Sequence, residues 1–123
     1  MVRRRIIARH GGTFELAFRV RADRPGRGWV LGIGRYSGET LEWFRVFSLR
    51  PSPHRSWQRV AMAYHSSHNP DAEEQIALYP GHVIVTCDLR DAAQVELAMA
   101  SDSLIGFQAW LESRNPGTDW TRR

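Results

Sequence analysis

The chain has 123 residues, 42% of them apolar, with 17 basic side chains against 13 acidic and a net charge of +4. That length supports one domain with its own core and leaves no room for two, and the composition is not that of a disordered chain. The single cysteine, Cys87, excludes an internal disulfide framework and a cysteine-rich zinc site. No run of residues approaches the ~20 apolar positions that a membrane-spanning helix needs.

Every basic side chain is arginine, as a GC-rich genome would produce, and the charge is unevenly spread. Residues 1–60 hold 13 Arg and 4 acids, a net +9, whereas residues 61–123 hold 4 Arg and 9 acids, a net −5. The first half is therefore the one suited to an anionic partner.

In chain order, Arg3, Arg4 and Arg5 precede Ile6-Ile7 and the His10-Gly11-Gly12 break. Phe14, Leu16, Phe18 and Val20 then alternate with Thr13, Glu15, Ala17 and Arg19, the pattern of a half-buried strand with its odd positions toward water. Asp23 to Gly28 reads as a loop because it carries Pro25 and two glycines. A second strand spans about Trp29–Tyr36, with Gly32 and Gly34 marking a bend or a close backbone approach. After Ser37-Gly38 comes a third strand, about Thr40–Phe47, and after Pro51 and Pro53 a fourth, about Trp57–His65. Ser66–Glu74 reads as an exposed connection, Gln75–Tyr79 as a fifth strand, and Pro80-Gly81 as the hairpin turn into His82–Leu89. Val95, Leu97 and Met99 alternate in the seventh strand.

The period changes only at the end. Ser101-Asp102-Ser103 offers an N-cap, Leu104, Phe107 and Leu111 recur at helical spacing, and Asn115-Pro116-Gly117 stops the helix. Seven antiparallel strands followed by one amphipathic helix predict a mainly β fold, a pleckstrin-homology-like barrel of two near-orthogonal sheets. Leu104, Phe107 and Leu111 would form the helix plug that closes it. Residues 13–114 would make the barrel, residues 1–12 a basic flank like those beside membranes, and residues 115–123 a polar tail.

Chemical motifs are sparse. His65 and His68, followed by Asp71, Glu73 and Glu74, are metal-ligand types, but in this polar segment they read as a solvated loop. Gly32-x-Gly34-Arg35 leads into a strand, whereas a phosphate cradle needs a helix N-terminus. Cys87 alternates with Val83, Val85 and Leu89 and reads as a buried apolar residue. No nucleophile, histidine and acid stand in a recognisable turn, so neither catalysis, a metal nor a cofactor is expected.

The segment GWVLGIGRYSGETLEWFRVFSL from Gly28 to Leu49, the end VELAMASDSLIGFQAWLESRNPG, and Gly11–Glu15 resemble a family of small actinobacterial proteins known as domain of unknown function 2550. The resemblance runs from about Arg5 to Gly117. It implies one transmembrane helix ahead of the domain, followed by a basic stretch. Arg3, Arg4 and Arg5 would then be a positive-inside flank, putting the domain at the cytoplasmic face of the cell membrane. The resemblance brings no catalytic residues with it.

What remains is the mixture of arginines and aromatics in strands two to four. Arg3, Arg4, Arg5, Arg35, Arg45, Arg50 and Arg55 are the candidate contacts for an anionic ligand or membrane. The expected role is a non-catalytic binding or adaptor module at an anionic membrane surface or on a membrane-complex protein. The alternative is a single-stranded nucleic-acid binder that uses the basic and aromatic sheet face. No small-molecule substrate is indicated.

Overall fold

The structure is a computed structural model, and residues 13–20, 27–46 and 52–113 are described. It is mainly β. The strands are β1 (Thr13–Glu15), β2 (Ala17–Arg19), β3 (Trp29–Val30), β4 (Gly32–Ser37), β5 (Thr40–Arg45), β6 (Arg55–Gln58), β7 (Met62–His68), β8 (His82–Leu89) and β9 (Gln94–Ala100). Two helices accompany them: α1 (Ala72–Ala77), between β7 and β8, and α2 (Ser101–Glu112), after β9. One antiparallel sheet has the order β1-β4-β5-β6 and the other β3-β2-β9-β8-β7.

Two chain runs belong to both sheets. β1 pairs with β4 in the first, while β2, one residue further on, pairs with β3 and β9 in the second. The bend falls at Leu16, whose N–H donates to the Gly32 carbonyl at 3.0 Å. β3 and β4 are broken in the same way at Leu31. These shared runs curl the sheets into a barrel-like form, so the nine segments lie on seven runs of chain.

Bending this tightly requires backbones without side chains at the fold line. A Cβ on Gly32 would lie 2.3 Å from the Phe44 carbonyl oxygen and 2.4 Å from Trp43 Nε1. On Gly34 it would lie 2.7 Å from Leu16 Cδ2. The close backbone approach expected of these glycines is therefore what they provide.

The core lies between the sheets, where Leu16, Phe18, Leu41, Trp43, Val85 and Leu97 meet Met99, Phe107 and Leu111. Phe107 and Leu111 are buried and Leu104 packs against the same cluster, so α2 lays its apolar side on the core. Burying such side chains is worth about 1.5–3 kcal/mol each.

Several expectations fail for identifiable reasons. Gln75–Tyr79 is not a strand and Pro80-Gly81 closes no hairpin. Asp71 accepts from the Glu74 N–H at 2.9 Å while Glu74 Oε1 accepts from the Asp71 N–H at 3.0 Å, a capping box that starts α1. Leu78 and Tyr79 then turn inward, and Leu78 joins Ala17, Ile84 and Ala98 in a small second core on the outer face of the β2–β9–β8 sheet. That core is also why Ala17, an odd position of the first strand, is fully buried. The fourth strand divides into β6 and β7 around a 3-10 turn at Arg59–Ala61. Residue Ala100 is the N-cap of α2 and no side chain caps it, so Ser101–Ser103 are already helical.

Candidate functional site

In an antiparallel pair, residues directly opposite share a face and successive residues alternate. Tyr36 pairs with Leu41 and Gly34 with Trp43, which are the interior positions of the first sheet. Gly32 pairs with Arg45, and Trp43 with Arg55. Register therefore carries Arg45 and Arg55 on the interior face, at the end of β5 farthest from the Gly38 turn. That end lies one step beyond the aromatic core.

Among the described residues this end is open, and its floor is Phe18, with Trp43 at 5.3 Å and Trp57 at 5.2 Å between ring centroids. The Arg55 guanidinium carbon sits 5.0 Å over the Phe18 ring, a geometry that favours the cation over the ring face. Val20, two residues past Phe18, is 46% exposed at the same rim. Arg45 is exposed too, and among the described residues neither arginine is paired with a carboxylate.

Arg35 is elsewhere. It faces Thr13 and Glu42 on the outer surface of the sheet, gives Glu42 Oε1 two hydrogen bonds of 2.7 and 3.1 Å, and lies 4.9 Å over Phe44. Its guanidinium is engaged locally by Glu42, so of the candidate arginines among the described residues only Arg45 and Arg55 share the interior face. Arg3, Arg4, Arg5 and Arg50 lie outside the described residues.

α2 packs at the opposite end, tied to the sheet by Arg59, which the sequence places among the arginines and aromatics of strands two to four without a role of its own. Arg59 donates through Nη1 to the Trp110 carbonyl at 2.9 Å and to Ser113 Oγ, and through Nη2 to Glu39 Oε2 at 2.9 Å. A cation on the last carbonyls of a helix also answers its dipole. Trp110 in turn sits 4.9 Å from the Tyr36 ring and donates to the Gly38 carbonyl at 3.3 Å.

The remaining chemical candidates are dispersed. His65 Nδ1 lies 3.1 Å from Asp88 Oδ2, His68 Nε2 lies 3.9 Å from Glu74 Oε1, and a bulge between Tyr64 and Ser66 interrupts their strand. Hydrogen bonding from Gln94, and then His65, holds the Asp88 carboxyl below its usual range against some desolvation. Cys87 is fully buried, and that burial, with a smaller push from Asp88, raises its thiol to about 12. His82, also buried, has Nε2 3.2 Å from Glu15 Oε1 and its ring 4.9 Å from Tyr79. No three His, Cys, Asp or Glu side chains among the described residues are grouped as a metal would need.

Glycine spacing, the arginine-aromatic strands and the terminal helix thus all fall within one fold unit, and a family model covers it. The model for the family described as "Protein of unknown function (DUF2550)" matches residues 1–117. The chain belongs to that family. It is 33% identical over 111 residues to the protein named "Uncharacterized protein ML1147" of Mycobacterium leprae (strain TN), a match covering 86% of this chain and 74% of the relative. It is equally 33% identical, over 109 residues, to "Uncharacterized protein Rv1312" of Mycobacterium tuberculosis (strain ATCC 25618 / H37Rv), again covering 86% of this chain and 74% of the relative. The actinobacterial kinship expected of this DUF2550 member is thereby established. No helix among its described residues is long and apolar enough to cross a membrane.

Proposed function

We propose that this DUF2550 domain is a non-catalytic binding module with a pleckstrin-homology-like barrel, whose open end rests on an anionic lipid surface at the cytoplasmic face of the membrane. One observation carries the reading: Arg45 and Arg55 stand together at the barrel end opposite the helix plug, without a carboxylate partner among the described residues. Charges placed so are available to headgroup phosphates, and the Arg-rich first half adds a field of the same sign. The order of seven strand runs and a terminal helix supports the fold assignment. The burial of Cys87, which keeps its thiol from solvent, supports the non-catalytic reading.

Lipid is favoured over single-stranded nucleic acid because base stacking needs exposed ring faces. Here Trp43 is 1% and Phe18 3% exposed, and Tyr36 lies between Phe14, at 5.2 Å, and Trp110. A membrane-complex protein with an acidic face is the outcome to pursue if lipid fails. Co-sedimentation with neutral and anionic vesicles, at low and near-physiological salt, tests the reading. Binding to anionic vesicles alone is expected, and absence of binding at both salts would reject it.

A further inference from the structure

We infer that Arg45 and Arg55 form a two-guanidinium clamp for a phosphate monoester, an inference that rests on the binding reading above and specifies what the open end recognises. Trp43 pairs directly with Arg55, and Arg45 follows Trp43 by two residues on the same face. Diagonal neighbours of this kind stand about 7–8 Å apart, a span that two long side chains can close on one ligand. Arg55 is already partly oriented, since its guanidinium carbon lies 5.0 Å over Phe18. Less side-chain freedom is therefore lost when a ligand binds.

The chemistry of the pair favours a monoester. Each guanidinium can give two parallel N–H bonds to a pair of oxygens, and the terminal phosphate of a monoester offers three oxygens and close to two negative charges. A phosphodiester has two free oxygens and one charge, so it would satisfy one guanidinium and leave the other half used. Lysine would supply equal charge but no fork.

That last difference makes the test. The full chain and its R45K/R55K variant have the same net charge. Both are assayed by calorimetry with glycerol 3-phosphate. Both are also sedimented with phosphatidylcholine vesicles containing either phosphatidic acid or phosphatidylserine at matched surface charge, and melting curves check that both are folded. The clamp predicts that the parent chain prefers phosphatidic acid by about tenfold and that R45K/R55K loses the preference. Glycerol 3-phosphate binding that R45K/R55K loses, with no binding to either vesicle, would support the clamp, assign its phosphate to a soluble ester, and reject the membrane reading. Anionic-vesicle binding that ignores both the headgroup and the lysine exchange would overturn the clamp while leaving the membrane reading standing. Failure to bind either probe would overturn both.

Discussion

Arg59 and Trp110 are joined twice: the guanidinium donates to the Trp110 carbonyl at 2.9 Å, and its carbon lies 4.9 Å over the Trp110 ring. Through Glu39 and Ser113 the same side chain also spans the β4–β5 turn and the residue after α2. It is 8% exposed, so removing it leaves polar groups stranded in a partly dry place. Arg59→Met should cost about 2–3 kcal/mol in urea unfolding. Glu39→Gln should cost under about 1 kcal/mol, because that carboxylate is mostly exposed.

The two fold-line glycines should differ. Ala at Gly32 meets a backbone oxygen and the indole of Trp43, whose Nε1 donates to the Leu16 carbonyl at 2.8 Å. Ala at Gly34 meets the ends of Leu16 and Phe14, which can move. Gly32→Ala should lose about 3 kcal/mol and Gly34→Ala about 1 kcal/mol. Equal losses in thermal melts would argue against the fold line drawn here.

Alkaline stability follows from two buried groups. Burial raises Cys87 from its ordinary 9.0 to about 12 and Tyr36 from 10.0 to about 12. The folded chain keeps both protons where the unfolded chain has released them, so unfolding is linked to proton loss. The stabilisation is complete below pH 9 and drains away as pH rises from about 9 to about 12. The double variant Cys87→Ala, Tyr36→Phe should flatten that slope in denaturant melts. The native thiol should also resist alkylation at pH 8 until the chain unfolds.

At the acid end, the lowered Asp88 contributes stability that is present above its ordinary 3.8 and lost as pH falls through the folded value. Gln94→Ala removes the 2.8 Å hydrogen bond that contributes most. The Asp88 carboxyl titration, followed by NMR, should then move upward. The effect on stability should be small, since the pair is at the surface.

What the sequence disclosed and what it hid have physical reasons. The alternation of Val83, Val85 and Cys87, and of Val95, Leu97 and Met99, shows one buried face and correctly gives β8 and β9. The spacing of Phe107 and Leu111 likewise gives α2 and its buried side. α1 was hidden because six residues are too few to display a 3.6 period, and Ile76 and Leu78 mimic a strand. Its one local signal was Asp71-x-x-Glu74. The strand count of seven survived because one strand too many at Gln75 offset one too few at Arg59, where β6 and β7 part. Arg59 had no local signal, since its partners lie 20 to 54 residues away in sequence. The site was half legible. Composition found the arginines, but only the β4–β5 and β5–β6 registers separate Arg35 from Arg45 and Arg55.

The most direct test of the open-end account compares three single variants of equal charge, Arg35→Gln, Arg45→Gln and Arg55→Gln, in co-sedimentation with anionic vesicles at near-physiological salt. The account predicts several-fold weaker binding for Arg45→Gln and Arg55→Gln and parent-like binding for Arg35→Gln, which sits on the other face against Glu42. Equal losses in all three would mean that net charge alone drives association and would contradict it.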